Sequence, residues 1–110
     1  MIEGIDLNET KIVHSVNDDG EEKTRFIIKV ITHRQKMSML DAVSSGDPCA
    51  AFDIAEIGVA RVENLSVNGA KVDFDVKDKS DIERIPMEVI VDLVQQILVF
   101  NGVSAEESKN

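Results

Sequence analysis

Residues 85–102 constrain the fold more than any other part of the chain, because they form the longest segment whose apolar residues recur at helical spacing. Pro86 suits the first position of a helix, where its missing N–H costs nothing, and Gly102 suits the left-handed residue that ends one. The pattern predicts a core helix of about four turns. Its apolar face carries Met87, Ile90, Leu93, Val94, Ile97 and Leu98, and its polar face carries Glu88, Asp92, Gln95 and Gln96.

The apolar face of this helix is wider than packing against one sheet requires. Val91, Val99 and Phe100 extend it at its edges, next to the residues predicted to be buried. A second surface, such as a partner chain, is expected to cover an apolar extension of this kind. These three residues are therefore the candidate partner-binding residues.

The length and composition predict one domain with one aliphatic core. The chain has 110 residues, of which 43% are hydrophobic, with four Phe and neither Trp nor Tyr. We expect a single α+β domain over residues 1–103 and a flexible acidic tail over residues 104–110. The expected architecture is a small antiparallel sheet of two hairpins packed with two or three helices, of which the C-terminal helix is the main one.

The first predicted hairpin joins strands at residues 11–16 and 23–33. Both segments are rich in β-branched residues, and Asp19-Gly20 between them is typical of a turn with positive φ. The second segment is apolar on both faces, as in a strand with neighbours on both sides. We therefore expect it to be central in the sheet.

The second hairpin has the clearest turn signal in the chain, Asn68-Gly69, which accepts the two positive φ values of a type I′ turn. A two-residue turn fixes the register of both strands. The predicted pairs are Val67 with Ala70, Leu65 with Val72, and Glu63 with Phe74.

Helix signals occupy the rest of the chain. Thr32 and Gln35 form a capping box that opens a helix, which residues 45–48 should end. Two further helical segments are predicted: residues 49–58, stopped by Gly58, and one brief turn opened by a capping box of Ser80 and Glu83.

The sequence predicts no catalytic, cofactor-binding or metal-binding residue, and hence a protein that is not an enzyme. It lacks a Gly-rich phosphate loop, paired metal-ligand residues and a nucleophile elbow. Cys49 fits a small buried residue better than a nucleophile, because no base is placed beside it in the sequence. His14 and His33 are isolated and suit surface or packing roles.

A divalent-cation site at Asp73, Asp75 and Glu63 is the alternative to ordinary surface charge in the second hairpin. The two aspartates project from one strand face about 7 Å apart. Lys71 and Lys77 alternate with them on that face, which favours charge pairing over metal binding. We therefore expect no metal there.

The net charge, the single cysteine and the N-terminal sequence indicate which partners and which location to expect. The 21 acidic and 12 basic residues give a formal net charge of -9, which disfavours direct contact with nucleic acid or an anionic membrane. The single cysteine excludes an intrachain disulfide, and the acidic N-terminus lacks the layout of a signal peptide. We expect the protein in the cytoplasm where it is made.

Three stretches resemble the small acidic proteins encoded among the structural genes of tailed bacteriophages, particularly tail assembly chaperones. Residues 24–37 are similar to a strand followed by a polar helix start, and residues 52–69 to a segment with a glycine before a V-x-N motif and a turn. Residues 85–110 resemble an ending with a proline-started helix and an acidic tail. The resemblance covers about half the chain and implies a non-enzymatic role in virion assembly.

Two functional hypotheses follow. The first is a phage protein that binds another phage structural protein, as a tail assembly chaperone or a minor virion component, in the host cytoplasm or the virion. Its candidate partners are that structural protein and a second copy of the chain in a homo-oligomer. The alternative is an acidic inhibitor that mimics nucleic acid and binds a host nucleic-acid enzyme, as the net charge of -9 would allow.

Overall fold

The chain folds as an α+β domain, as predicted, in a computed structural model that describes residues 1–47 and 49–103. The four strands form one antiparallel sheet in the order β1-β2-β3-β4. The described part has four helices, where two or three were expected, and the C-terminal one is the longest. The elements are β1 Thr10–Val13, β2 Arg25–Lys29, α1 His33–Ser44, α2 Ala50–Gly58, β3 Val59–Val67, β4 Ala70–Asp75, α3 Lys79–Ile82 and α4 Met87–Phe100.

One face of the sheet packs against the helices, and the other face carries mostly charged side chains. Strand β2 is central, as predicted, and its Phe26 and Ile28 are buried in the core. They belong to the same apolar cluster as Ile54 of α2 and Leu93 and Ile97 of α4. The core is aliphatic apart from Phe26 and the partly buried aromatic rings at its edge.

The hairpin of β1 and β2 forms as predicted, but the positive φ expected at Asp19-Gly20 is wrong, because Gly20 does not have positive φ. Strand pairing begins only at Val13 and Phe26, so the connection is a long loop. Asp18 organises this loop, because its carboxylate accepts hydrogen bonds from Gly20 N at 3.2 Å and Thr24 N at 2.9 Å. A loop closed by these bonds does not need a residue with positive φ.

The turn of the second hairpin forms as predicted. Asn68 and Gly69 have φ values of 52° and 82°, as a type I′ turn requires. The two pairs predicted beside the turn both form: Val67 with Ala70 and Leu65 with Val72.

The third predicted pair of that hairpin, Glu63 with Phe74, is wrong because a β-bulge intervenes. Asn64 takes positive φ (65°), and its N–H donates to Asp73 Oδ1 at 2.7 Å. The extra residue shifts the register, so that Val62 pairs with Phe74. Val62 thereby points into the core and Glu63 to the charged face, which places Glu63 among its charged neighbours.

Helices α1 and α2 follow the sequence signals closely. Thr32 and Gln35 make both bonds of the capping box, at 3.1 and 2.9 Å. Gly58 is the last residue of α2 and does not have positive φ, so the backbone conformation does not require a glycine there. The space does: a Cβ on Gly58 would lie 2.6 Å from Ile97 Cγ2. The absence of a side chain there lets α2 approach α4 closely.

The brief turn α3 begins earlier than predicted. Its capping box uses Asp78 and Asp81, and Ser80 lies inside the helix. Asp78 accepts hydrogen bonds from the Ser80 hydroxyl and from the Ser80 N–H, the latter at 2.9 Å, and these two bonds, in that order, lower the Asp78 pKa. Aspartate and serine are equally good N-cap residues, so the sequence alone does not decide whether Asp78 or Ser80 begins the helix.

Helix α4 forms the centre of the core, as predicted. Leu93 and Ile97 are fully buried, and Gly102 has the expected positive φ of 78°. Pro86 is the N-cap rather than the first helical residue. Met87 is 63% exposed, so its assignment to the buried face is wrong: in the first turn of α4 the fully buried residue is Ile90.

Candidate protein-binding surface

Both ends of α4 are fixed to the sheet side of the molecule, and the C-terminal end is held by Asn101. This residue is only 8% exposed. Its Oδ1 accepts from Ile31 N at 2.8 Å, and its Nδ2 donates to Ile97 O at 2.9 Å and Lys29 O at 3.3 Å. The side-chain amide thus pairs with one backbone N–H and one backbone C=O at the end of β2, as the backbone of a neighbouring strand would. These bonds join α4 to the sheet.

Polar bonds along α4 show that the helix runs antiparallel to β1 and the loop after it. Gln96 Nε2 donates to His14 O at 3.0 Å, and Asp92 Oδ2 accepts from Val16 N at 3.0 Å. Asn17 Nδ2 then donates to Glu88 O at 3.1 Å. The helix therefore has a fixed orientation, and the side chains that it exposes form a defined surface.

The exposed apolar side chains of α4 are Met87, Val91 and Val99, which we call the α4 stripe. Their exposed fractions are 63%, 51% and 65%. Of the three candidate partner-binding residues, Val91 and Val99 are thus exposed, whereas Phe100 is half-buried and packs against the core. Exposed apolar side chains grouped on one element are typical of a surface that contacts another protein.

The N-terminal arm, residues 1–9, adds further exposed apolar side chains. Met1, Ile2, Ile5 and Leu7 are all more than half exposed. Ile5 and Leu7 border a shallow concavity of about 410 Å³ that is also lined by Ile31. The arm therefore leaves apolar surface open beside the junction of β2 and α1.

The charged face of the sheet carries a chain of ion pairs across β2, β3 and β4. Glu63 accepts from Arg25 and from Arg61, each at 3.1 Å, and Arg61 also donates to Asp75 at 2.9 Å. Arg25 and then Arg61 lower the pKa of Glu63. Asp75 and then Glu63 raise the pKa of Arg61.

These pairings also bear on the cation site weighed from the sequence. Glu63 and Asp75 are each bound to arginine, and Asp73 accepts the Asn64 N–H at 2.7 Å. Within residues 1–47 and 49–103, no group of three His, Cys, Asp or Glu side chains has the geometry of a metal site. The carboxylates of this hairpin therefore stabilise the sheet and its bulge.

An open polar concavity of about 670 Å³ lies at the loop end of the charged face. Its lining includes His14, Glu22, Lys23, Arg25 and Lys71. Lys71 and Glu22 form an ion pair that lowers the Glu22 pKa, and Arg25 binds Glu63. Three charged side chains of this concavity, those of Glu22, Lys71 and Arg25, are therefore already held in ion pairs.

The nucleophile and base candidates have ordinary surroundings. Cys49 is exposed, where burial was expected, because it lies at the N-cap of α2 rather than inside the helix. His14 Nδ1 lies 3.0 Å from Thr24 O, and His33 is the exposed first residue of α1. In the part of the chain that the structure describes, no helix is long and apolar enough to cross a membrane.

Sequence reasoning missed the residues that fix this surface in place. No sequence motif assigned a role to Asn101, although a polar residue directly after a long apolar helix is a recognisable candidate for a buried bond. The ion pair of Arg61 with Asp75 depends on the bulge at Asn64, which alternation of residues does not reveal, and that of Arg25 with Glu63 depends on the register of β2 against β3.

Comparison of the chain with protein-family models, curated proteins and solved structures found no match.

Proposed function

We propose that the protein is a non-enzymatic binding protein that covers an apolar surface of a partner protein with the α4 stripe. The observation that carries the proposal is the exposure of Met87, Val91 and Val99 on a helix whose opposite face forms the core. Binding would bury these side chains, and apolar burial is the main favourable term in most protein association.

The resemblance of three stretches to tailed-phage assembly proteins supports a phage structural protein as the partner. In that role the chain acts as a tail assembly chaperone or a minor virion component. The α4 stripe shields apolar surface on the partner, and the net charge of -9 keeps the complex from associating further. The acidic-inhibitor alternative has the net charge as its only support, and several acids of the charged face are already paired with basic residues.

The test is capture of partners from cells infected with the phage that encodes the chain. The tagged wild-type protein should capture a phage structural protein, and the double variant Val91→Glu, Val99→Glu should lose it. Val67→Glu is the matched control, because Val67 is also an exposed valine but is the last residue of β3 and does not belong to α4. Capture of no phage structural protein, or equal capture by the double variant, would contradict the proposal.

A stability measurement separates loss of binding from loss of folding. The double variant changes only exposed positions. Its free energy of unfolding should therefore lie within about 0.5 kcal/mol of the wild-type value. Leu93→Ala, at a fully buried position two residues from Val91, should lose about 2 to 5 kcal/mol. Phe100→Ser should fall between the two, because Phe100 packs partly against the core.

A further inference from the structure

The two edge strands of the sheet are protected differently against pairing with another strand. β4 alternates Lys71, Asp73 and Asp75 on its exposed face, and charges at alternate positions discourage strand addition. β1 has one charged residue, Lys11, and its Ile12 is 59% exposed. β1 also has no proline, and its register with β2 has no bulge. It is therefore the edge that remains open to pairing.

The backbone groups that β1 presents outward follow from its pairing with β2. Val30 N donates to Glu9 O at 3.2 Å, and Thr10 lies opposite Lys29. In an antiparallel ladder this means that Glu9, Lys11 and Val13 bond to β2, whereas the N–H and C=O of Thr10 and Ile12 point away from it. Among the described residues, no side chain bonds to the outward groups of Thr10 or Ile12. An extended strand is the structure that satisfies such alternating donors and acceptors.

An apolar flank of α4 lies directly beside this open edge. A groove of about 380 Å³ separates β1 from α4 and is lined by Val13, Val99 and Phe100, with Lys11, Gln95 and Gln96 at its margins. The other side of α4 is occupied by α2, which approaches it at Gly58. The outward edge of β1 and this flank of α4 therefore form one surface, the β1 edge surface.

We propose that the occupant of the β1 edge surface is a second copy of the chain, whose own β1 pairs antiparallel with this one. The two four-stranded sheets then join into one sheet of eight strands around a two-fold axis. Such an interface is isologous, because each copy offers the same surface to the other.

The charge of Lys11 selects the register of this pairing. Hydrogen-bonded pairs must join outward residues, which allows a two-fold axis at Thr10, Lys11, Ile12 or Val13. An axis at Thr10 would need the N–H of Asn8, which is bonded to Asp6, and an axis at Val13 would need the N–H of Val16, which is bonded to Asp92. The axis therefore passes through Lys11 or Ile12. An axis at Lys11 would place the two Lys11 side chains directly opposite each other, which is unfavourable. An axis at Ile12 pairs Ile12 with Ile12 of the second copy and Thr10 with His14 of the second copy, and it places Lys11 opposite Val13.

The same axis brings the two α4 flanks side by side on one side of the joined sheet. A stable interface buries roughly 800 Å² per partner, more than a four-residue strand offers, so the flank must contribute. Val99 and Phe100 lie near the axis and supply apolar area.

The first test is the mass of the full chain in solution, measured by sedimentation equilibrium over a range of concentrations. Wild type should form a dimer, and Ile12→Lys should raise the dimer Kd roughly tenfold or more, because two like charges would meet at the axis. Val67→Lys, the same change at an exposed valine of the other hairpin, should leave the Kd unchanged. A wild-type monomer at every concentration, or an unchanged Kd for Ile12→Lys, would overturn the proposal.

The second test reports the register and does not depend on the stability of a charged variant. In a Cys49→Ser background, Ile12→Cys places the cysteines of the two copies opposite each other. Their Cα atoms would lie about 5.5 Å apart, within the range that a disulfide spans. Oxidised glutathione should cross-link it into a dimer faster than it cross-links Thr10→Cys in the same background, because the Ile12-centred register places the two copies of residue 10 far apart and leaves Lys11 unchanged. Equal or faster cross-linking of Thr10→Cys, or no cross-linking of either variant, would overturn the Ile12-centred dimer. Val99 belongs to both the α4 stripe and the β1 edge surface, whereas Ile12 belongs only to the second, so the Ile12 variants test the dimer without changing the stripe used in the partner capture.

Discussion

Gly58 shows how a single residue sets the distance between two helices. A Cβ built on it would lie 2.6 Å from Ile97 Cγ2 and 2.8 Å from Ile97 Cδ1, and Ile97 is itself fully buried. Gly58→Ala should therefore force α2 and α4 apart and destabilise the fold by about 1 to 3 kcal/mol. Gly4→Ala is the matched control, because nothing lies within 4 Å of a Cβ at that position. Chemical denaturation of both variants measures the difference, and equal stability would mean that Ile97 changes rotamer without cost.

At the scale of elements, the fold depends on how α4 is joined to the end of β2. Asn101→Ala removes the acceptor of the buried Ile31 N–H and the donor to Lys29 O. A buried donor left without a partner costs about 1 to 3 kcal/mol, so the free energy of unfolding should fall by that amount. Hydrogen exchange should locate the loss: the Ile31 amide should exchange faster in the variant, and unchanged protection there would show that water replaces the side chain.

The ion pairs across β2, β3 and β4 predict a dependence on pH. The arginines lower the pKa of Glu63 in the folded state, so its contribution is fully present above the unfolded pKa and is lost as pH falls through the folded one. Wild type should therefore be more stable than Glu63→Gln near neutral pH, and the difference should disappear in acid. If the stability difference between wild type and Glu63→Gln were the same at every pH, the substitution would act through altered packing and not through the loss of the charge.

How far the sequence predicted these elements depends on whether the signal was local. The capping box at Thr32 and the turn at Asn68-Gly69 were predicted correctly, because each is decided by residues within one turn of chain. The bulge at Asn64 was not predicted, because it depends on a bond to Asp73 in the next strand. The surface on α4 was predicted in part: Val91 and Val99 are exposed, but the distinction from Phe100 required knowledge of what packs beside the helix.

For the whole molecule, the formal net charge of -9 predicts how stability responds to salt. Repulsion among acids in excess disfavours the compact state, and about 0.15 M salt screens charges beyond roughly 8 Å. The exposed ion pairs are also screened, but each contributes little. The melting temperature should therefore rise as NaCl increases from a low concentration to about 0.15 M. Thermal unfolding followed by circular dichroism checks this, and a fall in melting temperature would mean that the ion pairs outweigh the repulsion.

The bonds from Asn101 to Lys29 and Ile31, and from Gln96 and Asp92 to the loop after β1, join parts of the chain that are about seventy residues or more apart. During synthesis on the ribosome, β1 to β4 emerge before the helix that covers their apolar face. The nascent sheet then exposes Phe26, Ile28 and Val62 to solvent until α4 leaves the exit tunnel. Completion of the core is therefore tied to the release of residues 87–103, and a translational pause before them would prolong the time during which the unfinished sheet is open to aggregation.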